Sequence, residues 1–248
     1  MRDVLAVIAL GLLLLVGWQV IVWVGDYPRF VLPGPLVVAQ RWEEAIRDGT
    51  IQKHFWTTLS EVLLGLLVGV SAGFVTGFLL ARSVFAERLL SPYIVAAQAT
   101  PILALAPLIA IWFGTGILSK VLIVALICYF PMAIATTVGL RSVDPQLVEL
   151  GRSLRATRRQ LISTIEVPAA APQIMGGVKV AVTLAVVGAI VAEWVGGDTG
   201  LGVLINLARG GLFDTPLLFA TLLTIALMGV TLYVIASLIE RRLVGARA

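Results

Sequence analysis

The stretch ELGRSLRATRRQLISTIEVP, residues 149–168, is polar and rich in arginine, although the sequence on either side of it is mostly apolar. Arg141, Arg152, Arg155, Arg158 and Arg159 lie within a few helical turns of one another. The spacing of polar and apolar residues is too regular for a simple connector. We therefore expect a folded surface element between membrane spans, to which a soluble partner binds.

The whole chain of 248 residues has the composition of an integral membrane protein. Hydrophobic residues make up 59% of it and charged residues 13%, whereas soluble domains carry about 25% charged residues. The mean hydropathy is +1.02. The formal net charge is +4, but no basic patch alternates with exposed aromatic residues, so nucleic acid is excluded as a partner.

Uncharged stretches predict an all-α, polytopic fold with six membrane-spanning helices, because backbone groups in lipid must be satisfied within each segment. No segment alternates polar and apolar residues as a membrane barrel does. The first span has no cleavage site of a signal peptide, so we expect it to be retained. The predicted spans are residues 4–24, 62–81, 89–119 with a turn at 114–116, 121–140, 172–195 and 215–239.

The distribution of lysine and arginine predicts the orientation of these spans. With the N-terminus inside, 11 of these residues lie on the cytoplasmic side and 6 on the outer side. The protein is therefore expected in a bacterial or archaeal inner membrane, with both termini on the cytoplasmic side. We interpret residues 1–248 as a single transmembrane domain with its core at 55–240.

Two segments on the predicted outer side have a structured pattern. Pro33–Gly34–Pro35 is a turn, and residues 36–51 after it are amphipathic, which predicts a surface helix. Residues 196–216 are rich in glycine but carry apolar side chains that can fold back on the protein. This loop is either an ordered gate or docking loop or a passive connector.

Three features inside the spans are candidates for packing or for a translocation pathway. Gly65, Gly69, Gly73 and Gly77 recur every four residues and form a flat stripe for close helix packing. Prolines kink helices, and those at 101, 107 and 131 form either a pathway wall or plain structural kinks. Carboxylates within membranes are costly, so we expect Glu193 to have a partner, such as Arg209 or another group of the glycine-rich loop. Glu61 lies near the end of its predicted span, so we interpret it as an ordinary residue of a span end without a special role.

Residues 141–168 predict two short helices with a tight knuckle between them. Asp144 is an N-cap, Pro145 fits the first helical position, and leucines follow at helical spacing. Thr157 is predicted to cap a second short helix, which Val167–Pro168 should end before the fifth span begins near Pro172. An amphipathic hairpin resting on anionic lipid is the alternative.

Catalytic machinery is missing from the sequence. No G-x-x-x-x-G-K-[ST] phosphate loop and no Ser/His/Asp set is present. Cys128 is the single cysteine, so no intrachain disulfide can form, and His54, the single histidine, lacks neighbours at metal-ligand spacing. The chain itself is therefore not expected to be an enzyme or to hold a metal or cofactor. Nucleotide chemistry, if used, must lie on another polypeptide.

The arginine-rich stretch resembles the pattern E-A-A, three residues, G, nine residues, I-x-L-P of permease subunits in binding-protein-dependent ABC importers. Glu149, Ile165 and the pair Val167–Pro168 occupy the matching positions. Arg155 stands where that family has glycine, so we expect a more helical knuckle. The resemblance implies a coupling loop, residues 141–168, with the ATPase-docking residues Glu149, Leu150, Gly151, Arg152, Ser153, Leu154, Arg155, Ala156 and Thr157.

Further motifs resemble the nitrate, sulfonate, taurine and vitamin-precursor branch of these type I importers. They are Thr100–Pro101–Ile102 with Pro107, Trp112–Phe113–Gly114, Gly151–Arg152–Ser153–Leu154, Ala192–Glu193 and Gly200–Leu201–Gly202. The resemblance implies that the permease works in pairs, with a homodimer favoured, in membrane lipid. It further implies a cytosolic ATPase dimer that uses ATP and Mg²⁺ and an extracytoplasmic solute-binding protein. The pathway or gate residues carried forward are Thr100, Pro101, Pro107, Pro131 and Glu193.

The transported solute is less readable than the class of protein. The surroundings of Glu193 and the segment Asp214–Leu217 resemble permeases for riboflavin or a thiamine pyrimidine more than those for sulfonate, taurine or nitrate. The alternative function is a stand-alone, proton-coupled secondary transporter with Glu193 as its proton site. A membrane enzyme or scaffold is disfavoured, because no nucleophile and base pair is present.

Overall fold

A computed structural model describes residues 2–99 and 102–245, and helices dominate this part of the chain. The prediction of an all-α fold is confirmed. Two π-helical segments, π1 and π2, each continue directly from a preceding helix. The helices in chain order are α1 Arg2–Gly25, α2 Pro35–Arg47, α3 Thr50–Arg82, α4 Val84–Ala99, α5 Ile102–Phe113, α6 Ile117–Arg141, α7 Pro145–Ser153, α8 Arg158–Gln160, π1 Leu161–Glu166, α9 Val167–Gly196, α10 Leu201–Asn206, π2 Leu207–Gly211 and α11 Thr215–Gly245.

Four of the described helical segments are long and apolar enough to cross a membrane. They are Thr50–Arg82, Ile117–Arg141, Arg158–Gly196 and Thr215–Gly245. The predicted second, fourth, fifth and sixth spans fall within them. The apolar parts of α1 and α5, Ala9–Gly25 and Ala104–Phe113, are shorter. A polytopic membrane protein is thus confirmed, whereas the first and third spans remain predictions.

Two of the spanning helices begin earlier than the sequence predicted. Helix α3 begins at Thr50 instead of residue 62, and α6 begins at Ile117 instead of residue 121. The sequence reading stopped each span at a charged residue. Glu61 and Lys120 instead lie inside the helices, where they pair with each other. The interpretation of Glu61 as an ordinary end residue is therefore wrong.

The predicted helix stop at Val167–Pro168 is also wrong. Helicity runs without interruption from Arg158 through π1 to Gly196. Proline lacks an N–H and its ring clashes with the carbonyl four residues earlier in a regular α-helix. Here the Val167 N–H donates to the Ile162 carbonyl, five residues earlier. This wider π turn just before Pro168 accommodates the ring, so the fifth span does not begin near Pro172.

The predicted turn between the third and fourth spans is present. Helix α5 ends at Phe113 and α6 begins at Ile117. Gly114 between them has φ +78°, a conformation that favours glycine.

One compact unit comprises residues 2–57 and 199–226. Its core contains Ala45, Ile51, Leu204, Ala208 and Leu217. Helix α2 thus buries part of its apolar face against the α10–π2 segment, which confirms that the glycine-rich loop is ordered. The amphipathic helix ends at Arg47 instead of residue 51, because the chain turns at Gly49 with φ +81°.

The second compact unit comprises residues 58–99, 102–198 and 227–245. Its α3–α6 contact depends on the predicted glycine stripe. A Cβ atom on Gly69, Gly73 or Gly77 would lie 2.4–2.5 Å from a backbone oxygen of α6. The packing role of the stripe is therefore confirmed, since these two backbones approach too closely for any larger residue.

Candidate functional site

Helix α7 begins as the sequence predicted. The Asp144 Oδ1 atom accepts a hydrogen bond of 2.8 Å from the Gln146 N–H, and Pro145 occupies the first turn. A side-chain acceptor at this position satisfies one of the free N–H groups at a helix N-terminus. The helix therefore has a defined start in the coupling loop.

A left-handed residue ends α7 and turns the chain toward α8. Arg155 has φ +58°, and the Ala156 N–H donates to the Gly151 carbonyl at 3.0 Å. Left-handed residues of this kind commonly end helices, most often with glycine. The expectation of a more helical knuckle is wrong, because Arg155 adopts the conformation that a glycine would take.

Close packing makes the coupling loop rigid. Gly151 is buried, and a Cβ atom there would lie 2.6 Å from Leu161 Cδ2 and 2.7 Å from Ile165 Cδ1 of π1. Thr157 and Gln160 form a reciprocal capping box at the start of α8, which confirms the predicted cap. Helix α7 therefore lies directly against the segment that continues into the fifth span.

The solvent-exposed surface of the loop combines leucines with arginines. Leu147, Leu150 and Leu154 are all exposed, and Leu154 reaches 75%. The side chains of Arg152, Arg155, Arg158 and Arg159 are exposed as well. An apolar ridge bordered by cations is typical of a surface that a partner protein covers.

Two ion pairs anchor the base of this loop. Arg82 at the end of α3 pairs with Glu166 of π1. Arg141 at the end of α6 binds Glu87 of α4 with an Nη1–Oε1 distance of 2.6 Å. The hydrogen bond from Arg141 holds the pKa of Glu87 below its ordinary value. Both contacts join a helix end to a neighbouring element at the loop end of the second unit.

A buried polar cluster lies at the opposite end of α6 and α9. We define it as Thr58, Glu61, Lys120 and Glu193. The Lys120 Nζ atom lies 2.9 Å from Glu61 Oε1, and the Thr58 hydroxyl donates to Glu193 Oε1 at 2.6 Å. Three helices, α3, α6 and α9, therefore meet through their polar side chains.

The glycine stripe brings this cluster together. A Cβ atom on Gly65, one turn after Glu61, would lie 3.3 Å from the Val121 carbonyl and closer still to Val124. The absence of a side chain lets α3 approach α6, so that Glu61 reaches Lys120. Exposed fractions of 1%, 5% and 2% for Glu61, Lys120 and Glu193 mean that the charges depend on one another and not on water.

The sequence singled out only Glu193 from this cluster. It proposed Arg209 or another group of the glycine-rich loop as the partner, and that partner stays a prediction. The structure adds the hydroxyl of Thr58 on α3, which donates to Glu193. Lys120 was counted only as a topology marker. Glu61 and Lys120 lie at the ends of predicted spans on the same side of the membrane, and this was the signal in the sequence that could have indicated their pairing.

The other predicted pathway residues are Thr100, Pro101, Pro107 and Pro131. Thr100 and Pro101 lie outside the described residues. Pro107 lies exposed within α5. Pro131, within α6, lines a groove of about 530 Å³ together with Gln173 and Val180 of α9.

The fold and this arrangement define a class of protein. Residues 65–245 match the sequence profile of the binding-protein-dependent transport system inner membrane component. The match covers most of the chain, so the protein belongs to this family. It is a permease subunit of an ABC importer and a multi-pass protein of the inner membrane.

Relatives of the chain have several solutes in their names. It is 46% identical to the riboflavin transport system permease protein RibX of Chloroflexus aurantiacus over 95% of this chain and 90% of that protein. It is 34% identical to the formylaminopyrimidine transport permease protein ThiX of Halalkalibacterium halodurans, covering 88% and 86%. It is also 34% identical to the putative aliphatic sulfonates transport permease protein SsuC of Bacillus subtilis, covering 91% and 82%.

Solved structures share the fold. An inward-facing structure of the MetNI methionine ABC transporter aligns with a TM-score of 0.67 at 18% identity, covering 76% of this chain and 93% of that one. An amino acid ABC transporter solved with histidines aligns with a TM-score of 0.63 at 21% identity, covering 81% and 98%.

Proposed function

We propose that a soluble ATPase subunit binds the coupling loop and drives this permease by moving α7. The observation that carries the proposal is the leucine ridge of α7, formed by the exposed side chains of Leu147, Leu150 and Leu154. On the same helix, Gly151 is packed against π1. Because π1 continues into α9, a force on the ridge reaches the fifth span directly. ATP and Mg²⁺ then bind the partner, since this chain has no phosphate loop.

Replacing Leu154 with Asp tests the docking surface. The charge would be buried in the apolar part of the interface, which is unfavourable. We expect solute uptake to fall at least tenfold in proteoliposomes, while the midpoint of thermal unfolding of the isolated chain stays unchanged because Leu154 is exposed. Phe85→Asp, which also places a charge at a residue exposed by 75%, is the matched control. Wild-type uptake and ATPase assembly by Leu154→Asp would refute this docking site.

We propose riboflavin or a related vitamin precursor as the solute. The support is the 46% identity to RibX, which exceeds the 34% to ThiX and to SsuC. Uptake of radiolabelled riboflavin by cells that lack their own transporter, with and without this permease and its partners, tests the proposal. Uptake of taurine or an alkyl sulfonate without uptake of riboflavin would replace it.

The permease is proposed to act as a pair that receives its solute from an extracytoplasmic binding protein. The family description supports the second part, since it names transport that depends on binding proteins. The predicted topology, with both termini cytoplasmic, places the coupling loop inside and the buried cluster toward the outer face. Native mass spectrometry of the purified complex measures the stoichiometry, and a single active permease per two ATPases would contradict the pair.

Glu193 is proposed to hold the outer gate closed in the resting transporter. Its bond to Thr58 joins α9 to α3 within the buried cluster. Glu193→Gln keeps the size of the side chain but removes the charge, so we expect a higher basal ATPase rate that depends less on the binding protein. Thr58→Val removes the same hydrogen bond from the other helix and should act in the same direction.

The alternative, proton-coupled transport through Glu193, predicts a different result for the same variant. Uptake would then lose its dependence on the proton gradient without a change in basal ATPase activity. A wild-type profile on both measures would leave Glu193 as a packing residue only.

A further inference from the structure

An apolar groove lies between α1, α2 and the first turns of α11, within the first unit. It has a volume of about 820 Å³, which falls in the range of about 300–1,000 Å³ typical of sites for small ligands. The function proposed above makes no use of it. Its walls include Leu15, Trp18, Val38, Trp42, Phe219 and Leu222.

Specific contacts hold the walls of this groove in place. The Trp18 and Phe219 rings stack with their centroids 5.6 Å apart, which joins α1 to α11. The Trp42 indole N–H donates to the Thr224 hydroxyl at 3.0 Å, which joins α2 to α11. Because this N–H is already bonded inside the protein, Trp42 presents only its apolar ring to an occupant.

The charged face of α2 places one end of the groove at a membrane surface. Arg41, Glu43, Glu44 and Arg47 lie on this helix, and Arg41 binds Asp214 at 2.7 Å just before α11 begins. Amphipathic helices with tryptophan and charges of this kind lie in the headgroup layer. Helix α11 is apolar and long enough to span, so the groove leads from the headgroup layer toward the hydrocarbon.

The length of the groove agrees with part of a lipid chain. Its α11 wall runs from Phe219 to Ala226, which corresponds to about 10 Å at 1.5 Å per residue. The walls are mostly apolar, with the side chain of Gln19 among them, so a polar solute would leave most of its polar groups unsatisfied. A hydrocarbon chain loses nothing there, and its headgroup would remain beside the charges of α2.

We propose that this groove binds one acyl chain of a membrane phospholipid, with the headgroup beside α2. The bound chain would cover the exposed ring surfaces of Trp18, Trp42 and Phe219. It would act as a wedge that keeps α1 and α2 in place on α11.

Groove-filling variants test the site in the purified permease complex. Ala39→Phe and Ala226→Phe each add a ring at the wall, whereas Val230→Phe adds the same ring at an exposed α11 position outside it. The probe is phosphatidylcholine with a doxyl label at carbon 5, measured by electron spin resonance in nanodiscs. We expect each groove variant to lose about one motionally restricted lipid per chain relative to wild type and to Val230→Phe. Equal restricted lipid in all four proteins would overturn the proposal.

A second measurement needs no groove-filling variant. Native mass spectrometry of the unmodified complex is expected to retain one phospholipid mass per permease chain after transfer from detergent, and lipid-free peaks alone would overturn the proposal. In a Cys128→Ser background, Leu36→Cys at the groove wall should stay uncrosslinked. A disulfide-linked permease dimer through this cysteine would show that a second copy occupies the groove, and would also overturn the proposal.

Discussion

The coupling loop and the buried cluster are both polar regions of an apolar chain, but their charged side chains differ in exposure to solvent. The loop arginines at 152, 155, 158 and 159 are exposed to solvent. In the cluster, Glu61 and Lys120 are buried and paired at 2.9 Å. The loop is built from neighbouring residues, whereas Thr58 and Glu193 of the cluster are 135 residues apart. Exposed charges are free to meet a partner, whereas buried charges act on the helices that carry them.

This contrast assigns different consequences to mutation in the two regions. Changes in the cluster should alter the free energy of unfolding first and transport second. Changes on the loop surface, such as Leu154→Asp, should alter transport without altering stability. Four further variants test how sharp this division is.

Lys120→Met should have the largest effect on stability. It leaves Glu61 buried without its ammonium partner, and removing one member of a buried pair costs about 3–5 kcal/mol. Denaturant titration of the purified chain in mixed micelles measures the loss. Lys53→Met removes an exposed lysine from the start of α3 and serves as the control, with a change within about 0.5 kcal/mol.

The double variant Glu61→Met/Lys120→Met isolates the buried charge as the cause. Replacing a buried ion pair by apolar residues is often neutral, so most of the lost stability should return. A double variant that is less stable than Lys120→Met alone would show that packing, and not the unpaired carboxylate, governs this site.

Gly69→Ala should have an intermediate effect. The added Cβ would lie 2.4 Å from the Ala125 carbonyl oxygen, and overpacking of this kind costs about 1–3 kcal/mol. Gly229→Ala on α11, where a Cβ atom would meet nothing within 4 Å, is the matched control. It should be neutral or stabilise the helix by up to about 1 kcal/mol. Equal stability of the two variants would contradict the close α3–α6 approach that assembles the cluster.

Arg155→Gly should have the smallest effect. Arg155 is held at φ +58°, where glycine avoids a steric cost of about 1–2 kcal/mol but loses more entropy on folding. We expect a change in unfolding free energy below about 1 kcal/mol and unchanged coupling of ATP hydrolysis to uptake. Arg152→Gly, inside α7, should instead destabilise by about 1 kcal/mol. Loss of coupling in Arg155→Gly would mean that the guanidinium itself contacts the partner.

Local patterns predicted those parts of the structure that depend on neighbouring residues. The Asp144 and Thr157 caps, the turn at Gly114 and the glycine stripe were all readable, because each depends on spacings of a few residues. Boundaries at Glu61, Lys120 and Pro168 were wrong. In each case a contact or a wider helical turn removed the penalty that a charge or a proline carries by itself.

The sequence by itself determined the all-α membrane fold, the absence of a phosphate-loop motif and the position of the arginine-rich segment 141–168 between spans, because hydropathy and short-range spacing carry that information. The tertiary structure alone decided that Glu61 meets Lys120 and that Thr58 binds Glu193. It also decided that α7 lies against π1 and that α1, α2 and α11 leave an apolar groove between them. The cluster contacts join residues far apart in the chain, and they form where glycines such as Gly65 let helix backbones approach.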